Sequence, residues 1–133
     1  MNNTKPTATK VIRYDPFEGA LGISLATRVG DLVFVSGTPG IRPDGTLPDD
    51  PEEQFRLVFA NLEDILREMG TSFDHVVDMT SFLCGNLNEL YPIFQRVRID
   101  VLGGKLPASA SVGVAELLGE GMLVEIKMVA ALP

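Results

Sequence analysis

An α+β fold is predicted for this chain: a six-stranded mixed β-sheet with two helices packed on one face. Two segments with the 3.6-residue periodicity of amphipathic helices lie between shorter, β-prone segments. Because each of these helices joins two strands, the sheet must contain crossover connections, which makes it mixed. Two helices cannot cover both faces of such a sheet, so its second face must meet solvent or another subunit.

The first half of the chain reaches its first helix through strands and a loop. Residues 1–10 are polar and predict a loose tail, and residues 11–22 predict a short strand followed by a loop. Residues 23–37 have the pattern of a β-hairpin, with Gly30 in the turn and a strongly β-prone second arm. Residues 38–50 are dense in proline and glycine, which indicates a loop.

The first helix is the most strongly marked element. Asp50 is a good N-cap, Pro51 suits the first helical position, and Gly70 is a natural stop. Between Asp50 and Gly70 one helical stripe is apolar throughout, and it consists of Phe55, Val58, Phe59, Leu62, Ile65, Leu66 and Met69. We expect this stripe to pack against the sheet.

The second half predicts a strand, a helix and two more strands. A strand over residues 75–84 precedes a helix that Asn86 or Asn88 caps and that runs over residues 89–102. After Gly119 and Gly121 the chain forms its last strand. These elements complete the six strands and two helices.

The strand between the second helix and the last strand, Leu106 to Val114, combines small and apolar residues. Successive side chains of a strand point to opposite faces. One set, Ala108, Ala110, Val112 and Val114, is expected in the core. The other set is expected to form a polar groove with little side-chain bulk, and it consists of Ser109, Ser111 and Gly113.

Length and composition indicate one globular domain over residues 1–133, with 45% hydrophobic and 22% charged residues. The net charge is −7 and no basic run occurs, which argues against a nucleic-acid partner. The N-terminus lacks the pattern of a signal peptide, and no apolar run reaches about 20 residues. We therefore expect a cytoplasmic protein without a membrane partner.

The sequence contains no motif for nucleotide, metal or triad chemistry. No glycine-rich nucleotide loop, HExxH or GxSxG pattern occurs. The single histidine, His75, and the single cysteine, Cys84, cannot build a zinc site of the usual nitrogen and sulfur type. We expect neither a metal nor an organic cofactor.

Small polar groups near strand ends are the remaining candidates for chemistry: Ser36 with Gly37, the serines of the Leu106–Val114 strand, and Glu125. Lys127 stands two residues after Glu125 and therefore on the same face of the last strand. A solvated face with a weak Glu–Lys pair would explain these two residues without any function. The residue pattern leaves both interpretations open.

Three segments, residues 29–47, 50–83 and 106–132, together resemble the Rid/YjgF family of reactive-intermediate deaminases. They read VGDLVFVSGTPGIRPDGTL, DPEEQFRLVFANLEDILREMGTSFDHVVDMTSFL and LPASASVGVAELLGEGMLVEIKMVAAL. The resemblance implies a six-stranded mixed sheet with two helices on one face, assembled as a homotrimer with ligand clefts at the subunit interfaces. It also implies hydrolysis of enamines and imines, such as 2-aminoacrylate, to a 2-oxo acid and ammonia.

The resemblance extends to part of the family's cleft. Ser36 and Gly37 match a Ser-Gly pair whose backbone groups line the cleft in the family. Glu125 matches the glutamate that positions the attacking water. Lys127 stands where a second acidic residue is often found.

Other cleft positions depart from the family pattern. The arginine that holds the substrate carboxylate falls on Ser109, a tyrosine position on Ile23, and an asparagine position of the second helix on Phe94. Arginine binds a carboxylate through two hydrogen bonds, and serine cannot. The departures imply a cleft for a larger or less charged ligand than 2-aminoacrylate.

A substitute cation would change this expectation, and Lys105, Arg96 and Arg98 are the candidates. With or without it, the favoured function is an imine or enamine hydrolase in which Glu125 is catalytic. Its substrate-binding residues would be Ser109, Ser111, Ser36, Gly37, Ile23 and Phe94.

Two other functions remain in view. The missing arginine favours a non-catalytic trimer that binds a small molecule. An endoribonuclease is disfavoured by the negative net charge and by the lack of a histidine-based acid–base pair.

Overall fold

Residues 9–133 are described by the computed structural model, and they form one sheet and two long helices. The predicted tail lies outside the described residues except for residues 9 and 10. The strands are β1 (Val11–Tyr14), β2 (Ala26–Val29), β3 (Leu32–Pro39), β4 (Val76–Cys84), β5 (Ala108–Val114) and β6 (Val124–Ala131). The helices are α1 (Pro51–Glu68) and α2 (Leu87–Leu102), and a short 3₁₀ helix, Phe73–His75, precedes β4.

The sheet has the strand order β1-β2-β3-β6-β4-β5. β4 and β5 pair in parallel, whereas the other neighbouring strands pair antiparallel. α2 is the crossover that a parallel pair requires, because it carries the chain from β4 back to the start of β5. The predicted fold class, a six-stranded mixed sheet with two helices, is confirmed.

Side-chain caps fix where both helices begin. The carboxylate of Asp50 accepts the backbone N–H of Glu53 at 3.0 Å, as the sequence predicts. α2 begins at Leu87, two residues before its predicted start, because the side chain of Asn86 accepts the N–H of Asn88 at 3.0 Å. Within residues 9–133, neither helix combines the length and the apolar character needed to cross a membrane.

The core lies between the helices and the sheet face that they cover. The apolar stripe predicted for α1 is buried along its whole length. Alternate residues of the central strands meet the helices from the sheet, among them Val33, Val35, Met79, Leu83, Ile126 and Met128. The two predicted periodicities, that of a helix and that of a strand, thus converge on one core.

Phe94 is part of this core, which corrects the expectation that it lines a ligand cleft. Its side chain is 0% exposed. The ring centroid lies 5.3 Å from that of Phe55, edge to face, and 6.1 Å from that of Phe59, stacked. Leu90, one turn earlier on α2, is also buried, so position 94 falls on the inward face of the helix.

β5 is the edge strand beyond β4, and the prediction that one of its faces lies in the core is wrong. Its parallel register places Ser109 beside Met79 and Ser111 beside Ser81, so the serines lie on the helix-covered side. The alternate residues, predicted as core, lie on the opposite face, and residues 108–113 are all exposed. The helices pack on the central strands, so an edge strand buries little on either face.

The helices leave the other face of the sheet uncovered. On it, Phe34 of β3 is 39% exposed and pairs with Val129 of β6. Glu125 and Lys127 lie on this same face of β6, because the residues that alternate with them are buried under the helices. We call this surface the open face.

The buried side chain of Gln54 ties the first turn of α1 to two other parts of the chain. Its amide nitrogen donates to the carbonyl oxygens of Pro48 and Gly121, at 3.0 Å each. Its amide oxygen accepts the N–H of Leu123 at 2.6 Å. Leu123 precedes β6, so this one amide positions the start of that strand.

Replacing Gln54 with Ala is expected to lower the free energy of unfolding by about 3–5 kcal/mol, since it leaves two carbonyls and one N–H without their partner. The same truncation at Gln95, exposed on α2, is the matched control and should cost less than about 0.5 kcal/mol. Urea denaturation followed by circular dichroism measures both. Equal costs would contradict the role given to Gln54.

Candidate active site

Glu125 lies against bare backbone on the open face. Its neighbours across the sheet are Pro39 of β3 and Phe82 of β4, and a bulge interrupts the β3–β6 register around Gly37. A Cβ on Gly37 would stand 2.8 Å from the carboxyl carbon of Glu125 and 3.0 and 3.1 Å from its oxygens. The carboxylate therefore occupies the space that a side chain at position 37 would need.

The Glu125 carboxylate is half-buried and unpaired. Within residues 9–133 it makes no ion pair and no side-chain hydrogen bond, so the Glu–Lys pair considered from the sequence does not form with Lys127. Ionised carboxylates are hydrogen-bond acceptors only. This one can accept a hydrogen bond from water or a ligand.

Ser36 connects the same bulge to the segment before β2. Its hydroxyl donates to the carbonyl of Ser24 at 2.6 Å, and its N–H donates to the carbonyl of Leu25 at 2.9 Å. Ser36 and Ile23 line one shallow depression, and Ile23 is 54% exposed. We call Ser36, Gly37, Glu125 and Ile23 the β3–β6 group.

The predicted serines lie elsewhere, in a pocket of about 510 Å³ between α2 and β5. Ser109 and Ser111 line one wall, and Tyr91 and Arg98 line the other. The rest of the lining is mainly apolar and includes Met79, Leu83, Leu87, Ile99 and Leu102. We call this the α2–β5 pocket. The predicted groove of small polar residues thus exists, although on the opposite side of the sheet from the open face.

Of the three candidate cations, Arg98 reaches into this pocket without a carboxylate partner. Arg96 pairs with Glu52 at 3.1 Å, and Lys105, at the pocket rim, pairs with Asp74 at 2.9 Å. The guanidinium of Arg98 forms no ion pair among residues 9–133.

Apart from Phe94, which is in the core, the predicted site residues fall into two groups on opposite faces of one sheet. The β3–β6 group is on or beside the open face, whereas Ser109 and Ser111 lie on the helix side of the edge strand. Strand β4 separates β6 from β5. One chain by itself does not bring Glu125 together with Ser109.

Tyr91 is a pocket residue for which the sequence analysis predicts no role. A weak signal exists: Tyr91 and Arg98 are seven residues apart, which places them on one side of a helix two turns apart. Periodicity alone could not show whether this side of the helix faces a pocket or solvent, because the side chains of Tyr91 and Arg98 are both polar at one end.

A mixed sheet with two helices, a carboxylate beside a glycine bulge and a serine-lined pocket define an α+β domain with a candidate small-molecule site. Residues 19–132 match the sequence model of the family described as Endoribonuclease L-PSP. The chain belongs to this family, which includes the YjgF and RutC proteins.

Similar proteins agree with this assignment. The chain is 40% identical over 111 residues to the RutC family protein YjgH of Escherichia coli, covering 83% of this chain and 82% of that protein. It is 32% identical over 129 residues to the mouse 2-iminobutanoate/2-iminopropanoate deaminase, covering 91% and 90%. The crystal structure of Rv2704 from Mycobacterium tuberculosis, a member of the YjgF/YER057c/UK114 family, superposes with a TM-score of 0.80 at 28% identity and covers 92% of this chain and 100% of that one.

Replacing Gly37 with Ala is expected to lower the free energy of unfolding by about 1–2 kcal/mol, because the added Cβ overlaps the Glu125 carboxylate. In a Glu125→Ala background the overlap is gone, so the same change should cost less than about 0.5 kcal/mol. Urea denaturation of the four proteins completes the double-mutant cycle. An equal cost in both backgrounds would show that Glu125 does not exclude a side chain at position 37.

Proposed function

We propose that this protein hydrolyses the C=N bond of imines, and of the enamines that tautomerise to them, in clefts shared between protomers of a homotrimer. The observation that carries the proposal is the half-buried carboxylate of Glu125, which has no ion-pair partner among residues 9–133 and lies against the bare backbone of Gly37. Membership of a family that contains curated 2-iminobutanoate/2-iminopropanoate deaminases supports the reaction class.

The reaction requires few catalytic groups from the protein. The overall reaction is C=NH + H₂O → C=O + NH₃. Glu125 accepts a proton from water while the water oxygen bonds to the imine carbon, and it then returns that proton to the nitrogen. In the resulting carbinolamine, the hydroxyl proton moves to the nitrogen through Glu125, and ammonia leaves as the C–N bond breaks and the carbonyl forms.

A second protomer supplies the other half of the cleft in this proposal. The β3–β6 group and the α2–β5 pocket lie on opposite faces of the sheet, so they can meet only when one chain places its pocket against the open face of the next. A head-to-tail contact of this kind closes into a ring when the rotation fits. The exposed apolar residues of the open face, such as Phe34 and Val112, support its burial in that assembly.

Pocket size and lining favour a substrate larger than 2-aminoacrylate. A volume of about 510 Å³ is within the range of small-molecule sites. Leucine, isoleucine and methionine side chains line most of it, so an imino compound with an apolar side chain fits better than a three-carbon one.

A non-catalytic ligand-binding trimer is the second candidate, favoured by Ser109 at the position of the family's carboxylate-binding arginine. A protein of this kind would use the same cleft as the hydrolase but would not turn over its ligand. A measurement of hydrolysis therefore separates the two.

Glu125→Gln is expected to reduce hydrolysis by at least about 100-fold, because the amide keeps the shape of the side chain but cannot accept the water proton. Imines generated in situ by an amino-acid oxidase serve as substrates, and ammonia release above the spontaneous rate is measured. Glu63→Gln, on the exposed surface of α1, is the control and should keep wild-type activity. Hydrolysis no faster than the spontaneous rate with wild-type protein would favour the binding protein, and full activity of Glu125→Gln would remove that residue from the mechanism.

Mixed assemblies test whether the cleft is shared. Ser109→Trp fills the α2–β5 pocket and should inactivate, as Glu125→Gln should. In a mixed trimer of the two variants, about one of the three clefts receives an intact Glu125 from one chain and an intact Ser109 from its neighbour. Two differently tagged variants, co-expressed and purified through both tags, are therefore expected to regain activity. No regain would show that Glu125 of one chain and Ser109 of its neighbour do not act in one cleft, contrary to the proposal.

A further inference from the structure

The α2–β5 pocket contains a positive charge that nothing in the described chain neutralises. We propose that Arg98 is the anion-binding residue of this pocket, and that it holds the carboxylate of an imino or oxo acid with an apolar side chain. The inference rests on the proposed function, because it names the substrate class of the same cleft.

Arg98 is held in place by weak contacts that leave its donors largely free. One terminal nitrogen donates to the hydroxyl of Tyr91 and the other to the hydroxyl of Ser111, both at 3.3 Å. The guanidinium carbon lies 5.8 Å from the ring centroid of Tyr91 and 5.4 Å from that of Phe94. Aromatic faces orient a guanidinium without using its hydrogen-bond donors. More N–H groups are available than these two long bonds occupy.

The charge balance of the pocket favours an anionic ligand. Arg98 is half-buried among mainly apolar side chains, where a charge without a partner is unfavourable. The neighbouring cations already have carboxylate partners: Arg96 pairs with Glu52, and Lys105 pairs with Asp74. A planar carboxylate matches the donor geometry of a guanidinium.

Ser109 makes room for this arrangement. It faces the pocket from the strand, opposite the helix that carries Arg98, and its small side chain leaves the space between them open. The cation thus comes from α2 instead of β5. A guanidinium on the helix side of the pocket leaves the apolar residues of the lining, such as Leu83 and Leu102, available to contact the side chain of the acid.

Calorimetry with a stable 2-oxo acid tests the inference independently of turnover. The probe is 4-methyl-2-oxopentanoate, and its uncharged primary amide is the matched control ligand. Arg98→Met is expected to weaken binding of the acid about 10- to 100-fold. Binding of the amide should change less than about threefold, because it carries no charge for Arg98 to bind. Arg96→Met, on the same helix but paired with Glu52, should leave both affinities unchanged.

Arg98→Lys provides a second, milder variant that keeps the charge. Lysine cannot bind a carboxylate through two parallel hydrogen bonds, so a loss of several-fold is expected for the acid alone. Unchanged affinity of both Arg98 variants for the acid would overturn the inference, as would equal losses for acid and amide or no binding of the acid at millimolar concentration by wild-type protein. Hydrolysis that depends on Glu125 while the Arg98 variants bind normally would refute this inference alone. Selective loss of acid binding without any hydrolysis would refute only the proposed function.

Discussion

The buried amide of Gln54 is the contact on which the geometry of the open face depends. It holds Leu123, two residues before Glu125. The backbone carbonyl of Gln54 also lies so close to Gly40 that any Cβ there would collide with it. Gly40 directly follows β3, the strand that contains Gly37. The first turn of α1 therefore positions both the end of β3 and the start of β6, and a helix on one side of the sheet sets the spacing of two residues on the other.

Alternation along the strands explains why this chain presents two half-sites instead of one. Glu125 is on the open face because Val124 and Ile126 are in the core, and Ser109 is on the helix side because it is in register with buried Met79. The orientation of Glu125 cannot change without exposing core residues of β6, whereas that of Ser109 is set by the register of β5 with β4. In the reaction that we propose, the carboxylate and the pocket with its cation therefore come from two chains, while each chain keeps an unbroken hydrophobic core.

The sequence predicts most of the fold, because both helices and the central strands bury one periodic face and that face is visible in the residue pattern. Prediction failed where burial does not follow the pattern. β5 alternates like a core strand, yet it is an edge strand and is exposed throughout. Phe94 is aligned with a cleft residue of the family, yet its own α2 register turns it into the core. Arg98 could be named only as one of three cations, because the partners that occupy Arg96 and Lys105, Glu52 and Asp74, are distant in sequence.

Within residues 9–133, β5 pairs with a single strand, β4, and that pair is the parallel one at the edge of the sheet. Since residues 108–113 are all exposed, displacement of β5 from β4 sacrifices little core packing. Local openings of this kind require less free energy than unfolding of the core. The serine wall is therefore the most deformable boundary of the pocket. A small outward movement of this strand widens the pocket while the helices and the central strands stay in place.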